Sequence, residues 1–275
     1  MDSIVLSLCI PTFNRVKYLR ELIPSLIAEL EHVNRLAIRV ELLISDNAST
    51  DETEAYLREI SCCGLKIFRN SANIGGDRNF LACVERASGE YVWLFGDDDV
   101  IEPDGLKRTV SLLLREHPTL LILRDCGCWI NDNQESIYAD YGACVREEMK
   151  QDYSFALRHT LITANVFRRD IFDLKRAIGF LFTNYAHMYG ILIGLRHGGR
   201  VAVRSGIFRT RPQRAPFHRW PTALCVKQAF YLWQLAGWFG VKRLRWTACR
   251  YALNMPVEII ACVLHNYFPN KFGRT

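Results

Sequence analysis

Apolar and polar positions alternate between two periods along the first two-thirds of the chain. Ile4–Ile10 is nearly continuous in apolar residues and reads as a buried strand, ended by the loop Pro11-Thr12-Phe13-Asn14-Arg15. Leu19, Leu22, Ile23, Leu26, Ile27 and Leu30 then recur at helical spacing, predicting a helix from about Lys17 to His32 that Pro24 should kink or interrupt. Val40–Ile44 predicts a second strand running into Ser45-Asp46-Asn47, and Ser49 and Glu52 have the spacing of a capping box. Leu65–Phe68 predicts a third strand, and a helix follows over Asp77–Ala87 behind Asn73-Ile74-Gly75-Gly76. Tyr91–Phe95 predicts a fourth, running straight into Gly96-Asp97-Asp98-Asp99.

Strands that alternate with helices predict an α/β fold with a mostly parallel sheet, helices on both of its faces, and ligands beyond the carboxyl ends of the strands. Each polar cluster above follows a predicted strand directly, so the clusters should gather along one sheet edge. Later elements are less regular. Leu120–Leu123, Thr160–Phe167 and Arg200–Val203 read as strands, Asp170–Phe180 and Tyr185–Arg196 as helices, and the stretch from Asn131 to about Gln151 as an irregular polar insertion.

Composition supports a globular chain, with 49% hydrophobic and 23% charged residues across 275 positions. Net charge divides it. From Arg196 onward there are 14 Lys/Arg against Glu258 alone, or +13, whereas the first 195 residues carry 21 basic and 28 acidic groups, or −7. The acidic part suits metal ions and the basic part suits phosphates. The expected organisation is a domain over residues 1–210, with a nucleotide-binding half (1–110) and an acceptor-binding half (111–210), followed by a basic helical extension over 211–275. Trp220, Trp233, Trp238 and Trp246 lie among the basic residues of that extension, a combination that suits a membrane surface. Its apolar runs, Ala229–Val241 and Tyr251–Leu264, are shorter than the 18 or so residues a spanning helix needs. Met1-Asp2-Ser3 offers no basic leader, so the ten cysteines are expected as free thiols in a reducing compartment; Cys62–Cys63 and Cys126-x-Cys128 lack a matching second pair for zinc. Together these features predict a cytoplasmic protein peripheral to the inner face of the cytoplasmic membrane.

Three consecutive aspartates after a buried strand raise one another's pKa unless a cation lies between them. Asp97 and Asp99 form an Asp-x-Asp pair of oxygen ligands suited to Mg²⁺ or Mn²⁺, with a diphosphate completing the shell. An exposed Asp-rich turn before Pro103 is the plainer alternative.

Four stretches, taken in order, resemble the inverting GT-A glycosyltransferases of family 2. They are Leu8-Cys9-Ile10-Pro11-Thr12-Phe13-Asn14-Arg15, Ile44–Thr53, Asn73-Ile74-Gly75-Gly76-Asp77-Arg78-Asn79, and Gly89–Asp99. The resemblance covers roughly residues 4–110 and extends more loosely to about 205. It implies a GT-A, Rossmann-like fold and transfer of a sugar from a nucleotide-diphosphate donor. It places Pro11, Thr12, Asn14 and Arg15 against the nucleotide, gives Asp46 a hydrogen bond from the base, and sets Arg78 near the base or phosphates. Asp97 or Asp98 would contact ribose, and Asp99 would be the firmest metal ligand, with Asp97 beside it.

The family usually carries an acidic pair at the start of a later helix as general base, but here the chain reads Asn184-Tyr185-Ala186-His187-Met188-Tyr189. His187 is the natural substitute, a helix histidine packed beside Tyr189 or capping a neighbour being the plainer alternative, with Asp170 and Asp173 as fallbacks that also look like a helix start. Thr163–Arg169 falls where such enzymes meet the acceptor. His187-Met188-Tyr189 resembles the branch containing abequosyltransferase-like enzymes of O-antigen synthesis, which implies a deoxyhexose donor and a polyprenyl-diphosphate-linked saccharide acceptor. A catalytically inactive protein of this fold that binds nucleotide sugars or polyanions is the competing reading. Nucleic-acid binding is disfavoured, because the basic residues follow no recognised motif and the acidic half repels phosphates.

Overall fold

The computed structural model describes residues 3–126, 135–152, 155–181, 183–211, 222–242 and 244–245. They fall into two compact units, one of residues up to 144 with 158–211, the other of 145–157 with those from 212 on.

In the first unit, β1 (Leu6–Thr12), β2 (Val40–Asp46), β3 (Leu65–Arg69) and β4 (Tyr91–Leu94) form the parallel half of a nine-stranded sheet in the order β3-β2-β1-β4. Every residue of β1, β2 and β4 is buried, as a parallel sheet covered on both faces requires. Leu8, Ile10, Leu42, Ile44 and Trp93 share one face with α1 (Val16–Arg35) and α4 (Gly105–Glu116). Between these helices in the chain come α2 (Thr53–Glu59) and α3 (Gly76–Arg86); α3 packs on β1, β2 and β4. Glu29 of α1 holds the start of α4 by accepting the Asp104 and Leu106 amides at 2.8 and 3.0 Å, which supplies the acceptor that free helix amides need.

The sheet is mixed beyond β4. The short β5 (Val100–Ile101) and then β6 (Leu120–Asp125) and β7 (Glu135–Tyr138) precede α5 (Tyr141–Gln151) and α6 (Phe155–Arg158). β8 (Asn165–Arg168) enters antiparallel between β4 and β6, and after α7 (Leu174–Ala177) and α8 (Ala186–Leu195) the chain returns as β9 (Val201–Arg209), parallel to β6. β5 and β7 pair β9 antiparallel. The parallel character expected of the sheet thus holds for β1–β4 and the β6–β9 pair. α3, α7 and α8 meet through Leu81, Ala177 and Ala186.

Several local expectations change. α1 runs unbroken through Pro24. The Ser49–Glu52 capping box does not form, because Ser49 donates its amide and hydroxyl to Asp46, and Asp51 takes the Thr53 amide at 3.0 Å instead. Only Asn165 onward of the Thr160–Phe167 stretch is strand, preceded by a 3-10 turn over Ile162–Ala164. Asp170–Phe180 divides into two 3-10 turns around α7. The stretch expected to be irregular contains β7 and α5, while its residues 131–134 and Cys128 lie outside the described residues.

In the second unit, α9 (Thr222–Phe239) carries Trp233, which is exposed and lies under the Arg245 guanidinium at 5.6 Å. Trp220, Trp246 and the Tyr251–Leu264 run lie outside the described residues. No helix among the described residues is long and apolar enough to cross a membrane.

Candidate functional site at the carboxyl edge of the sheet

Strand register gathers the candidate residues. Thr12 is level with Asp46, and Asp46 with Arg69, so the last residues of β1, β2 and β3 form one row. β4 ends beside them and leads into Asp97–Asp99. Since β8 runs against β4, its amino end brings Thr163 to the same edge. β6 and β9 point the same way as β4 and deliver Asp125 and Thr210 there; the Thr210 amide donates to Asp125 at 3.1 Å.

Thr12 donates its hydroxyl to Asp97 Oδ2 at 2.7 Å. Arg15 lies 4.0 Å from Asp97 and 3.9 Å from the half-exposed Asp98. Burial, reinforced by the Asp98 charge, raises the Asp97 carboxyl to about 6 despite Thr12 and Arg15. Burial likewise raises Asp99 to about 7, helped by Asp98, Asp125 and Asp97 and opposed by the Thr163 hydroxyl, which donates to Asp99 Oδ2. These carboxyls accept negative charge reluctantly, and a cation between them would relieve that. Among the described residues no three His, Cys, Asp or Glu side chains form a ready-made metal cage. Mg²⁺ and Mn²⁺ sites that hold substrate phosphates need only one or two carboxylates, so Asp97 and Asp99 fit such an ion.

Asn14, at φ 54°, ties the β1 loop to the β2 loop: its amide donates to Ser49 Oγ at 2.8 Å and its Oδ1 accepts the Thr50 amide at 2.7 Å. Pro11 is buried within β1, level with Ser45. Arg78 is exposed on the first turn of α3, with no ion-pair partner among the described residues. The helix amino end beside it favours anions.

Two expected roles meet a different geometry. Asp46 is 1% exposed; one carboxylate oxygen accepts from Ser49 and the other from the Arg69 guanidinium. In this conformation it braces the β2 loop and does not present a free carboxylate to a base. His187, expected as proton acceptor, is also 1% exposed and stands edge-on to Phe80 at 5.6 Å. Its Nε2 meets the Thr160 carbonyl at 3.1 Å. A carbonyl only accepts, so Nε2 carries the proton and Nδ1, which has no hydrogen-bond partner among the described residues, does not. Burial lowers its pKa to about 4, aided by nearby His159 and opposed by the Thr160 bond, so the ring is neutral near pH 7. The fallbacks lie elsewhere: Asp170 follows β8 at the opposite edge of the sheet and pairs with Arg168, while Asp173 caps α7 through the Arg176 amide at 2.9 Å.

Arg69, Asp125 and Arg211 belong to the site region without having been singled out in the sequence, and Thr163, expected only as part of a stretch that meets the acceptor, stands against Asp99. Extending the third strand by one residue would have exposed Arg69, since each neighbouring strand ends in a polar group. Arg211 brackets the Tyr18 ring with Arg15, their guanidinium carbons 5.6 and 5.3 Å from its centre. Asn47, Asn70 and Asn79 interlock beneath the row; the Asn70 amide donates to both others at 3.0 Å.

Residues 7–173 match the sequence model of the family described as Glycosyl transferase family 2. Over 105 residues, 37% of this chain and 30% of the relative, the sequence is 44% identical to abequosyltransferase RfbV of Salmonella typhimurium (strain LT2). Over 125 residues it is 28% identical to poly(ribitol-phosphate) beta-N-acetylglucosaminyltransferase TarS of Staphylococcus aureus (strain Mu50), covering 44% of this chain and 21% of that protein. The matched stretches thus span less than a third of either relative. Among solved structures, S. aureus TarS 1-349 in complex with UDP-GlcNAc superposes with a TM-score of 0.60 at 16% identity, covering 84% of this chain and 66% of that one. Mannosyltransferase PcManGT from Pyrobaculum calidifontis, in complex with GDP-Man and Mn²⁺, gives 0.59 at 15% identity, covering 96% and 81%. At such identities these structures show the shared GT-A fold alone.

Proposed function

The chain belongs to glycosyl transferase family 2, and on that premise we propose that it transfers a sugar from a nucleotide-diphosphate donor to a saccharide acceptor with the help of Mg²⁺ or Mn²⁺. The observation that carries this reading is the paired Asp97 and Asp99, both pushed toward neutrality by burial and by the Asp98 charge between them, at the edge where Thr12, Arg15 and Asp46 also converge. Asp97 and Asp99 would hold the ion. Bound there, it supplies Lewis-acid stabilisation of the charge that develops on the departing nucleoside diphosphate. Arg15 adds a positive group beside the same carboxylates, and Arg78 offers an exposed guanidinium at an anion-favouring helix start. Asp98, half-exposed, is the carboxylate available to ribose hydroxyls.

The likeness to abequosyltransferase RfbV supports a deoxyhexose donor and an acceptor used in bacterial surface-polysaccharide synthesis. Exposed Trp233 under Arg245, in a strongly basic region, supports contact with an anionic membrane surface carrying a polyprenyl-diphosphate-linked acceptor. On this reading the protein works peripherally at the cytoplasmic face of the membrane. The enclosed His187, at a point where the family usually has an acid, favours as second reading a nucleotide-sugar-binding protein without turnover.

A thermal-shift screen of UDP, CDP, GDP and dTDP, each with and without Mn²⁺, tests the proposal. One nucleotide should shift the folded protein only when Mn²⁺ is present, and Asp99→Ala should abolish the shift. No shift with any pair would reject the donor and metal assignment. A shift without sugar transfer to any lipid-linked acceptor would leave the binding protein.

A further inference from the structure

Thr163 lies fully buried just before β8, and the hydrogen bonds around it have a fixed direction. Its Oγ1 accepts the Gly96 amide at 2.8 Å. The single proton of the hydroxyl is therefore directed to Asp99 Oδ2, since the amide can only donate. Polarity runs from loop amide to hydroxyl to carboxylate.

Both sides of this relay are held. The Thr163 carbonyl accepts the Trp93 indole N–H at 2.8 Å, and Asn165 Nδ2 donates to the carbonyls of His159 and Leu161 at 2.6 and 3.1 Å. His187 fastens the segment through the Thr160 carbonyl at 3.1 Å. On the opposite side, a Cβ at Gly96 would stand 2.7 Å from Asp99 Oδ2 and 3.2 Å from Thr163 Oγ1, so the absent side chain is the room these two groups occupy.

The arrangement repeats at Asp97, where Thr12 donates to Oδ2. Each carboxylate of the Asp-x-Asp pair is thus gripped at one oxygen by a threonine from a different strand end. Asp99 Oδ1 has no side-chain hydrogen bond among the described residues, and Asp97 Oδ1 lies 4.0 Å from the Arg15 guanidinium.

We propose that Thr163 is a positioning residue for the divalent cation: by holding one oxygen of Asp99 it keeps the other directed to the ion, with Thr12 doing the same for Asp97. This rests on the metal-dependent reading above. It also gives the 160–165 segment and His187 a supporting role behind the metal ligand.

Free Mn²⁺ is to be followed by electron paramagnetic resonance as it is titrated into the full chain, with whichever of UDP, CDP, GDP or dTDP gives the largest shift. Thr163→Ser should match wild type within about threefold. Thr163→Val keeps the shape but removes the donor and should raise the Mn²⁺ half-saturation about 10–100-fold, the usual loss when a partner behind a metal ligand is removed. Thr163→Cys, a weak donor of similar size, should fall between them and decides the matter if the valine variant does not fold. Equal half-saturation for wild type, Ser, Cys and Val would overturn the positioning role; if Asp99→Ala still lost Mn²⁺, the metal reading would stand without it. No Mn²⁺ uptake by wild type with any of the four nucleotides would overturn both.

Discussion

Thr12 and Asp97, 85 residues apart in sequence, share a 2.7 Å hydrogen bond that joins the carboxyl end of β1 to the loop leaving β4. Two motifs that are separate in the chain thereby become one site. Thr12→Val would remove the donor that opposes the upward pKa shift of Asp97, so this carboxyl should ionise less readily at pH 7. The Mn²⁺ concentration for half-maximal thermal shift should rise by about three- to tenfold at pH 7 and recover toward wild type at pH 8.5. An unaltered Mn²⁺ response would show that Thr12 does not act through Asp97.

Burial raises Asp99 to about 7 in the metal-free protein, well above its unfolded value. Between pH 4 and 7 the folded state therefore binds more protons than the unfolded one, and this group's contribution to stability falls as pH rises through that interval. Asp99→Asn keeps an acceptor for Thr163 and removes the charge, so in EDTA it should raise Tm at pH 8 by about 3–8 °C, with the gain vanishing near pH 4. Differential scanning calorimetry at the two pH values checks this; a lower Tm at pH 8 would contradict the assigned charge penalty. Metal affinity should follow the opposite course and weaken as pH falls below about 7, because protons compete for Asp97 and Asp99.

Arg69 is the guanidinium partner of buried Asp46. Arg69→Met would leave that carboxylate without its counter-charge. Breaking a buried pair costs about 3–5 kcal/mol, and the partial exposure of Arg69 brings the expected loss to about 2–3 kcal/mol. Urea unfolding should show a lowered midpoint with an unchanged slope. Asp46→Asn together with Arg69→Met should recover part of the loss, since the uncompensated charge is then gone.

His187 donates to the Thr160 carbonyl, and its lowered pKa leaves it neutral across pH 5–8. A glutamine there retains an N–H for that carbonyl but cannot serve as a base. His187→Gln should keep turnover within about threefold of wild type, whereas a loss of about 10²–10⁴-fold in steady-state assays would mark the imidazole as the proton acceptor. His187→Ala should lower Tm in either case, because it opens a cavity and leaves the carbonyl unpaired.

The run of elements from β1 to β4 was legible in the chain because each strand there is a short apolar block ended by polar residues. Such a block buries on both faces wherever it sits in a parallel sheet. The same logic correctly sent Thr12, Asp46 and Asp97–Asp99 to one edge, since strands that point the same way carry their ends together. Local sequence is a poorer guide where two local preferences compete. Ser49 has the spacing to cap α2, yet its hydroxyl goes to Asp46, whose buried carboxylate is the more demanding partner. The β8 region showed the same failing from the other side: four apolar or small residues before Asn165 resemble a strand, but the turn over Ile162–Ala164 is held by Asn165 and Trp93.

Local periodicity in the chain is enough to specify the α/β alternation, the acidic character of the site and the aspartates that could hold a metal. These depend on spacings of two to four residues, and those spacings are written in consecutive positions. The partners of those aspartates arose from folding. Thr163, Asp125 and Thr210 reach the site because β8 inserts antiparallel between β4 and β6, with β9 beyond them, a strand order that no stretch of sequence encodes locally. Packing also determined that His187 is enclosed. Its place at the start of α8 left both a base and a packed helix histidine open; α8 is apolar around its whole circumference and buries the imidazole among its neighbours, where desolvation keeps it uncharged.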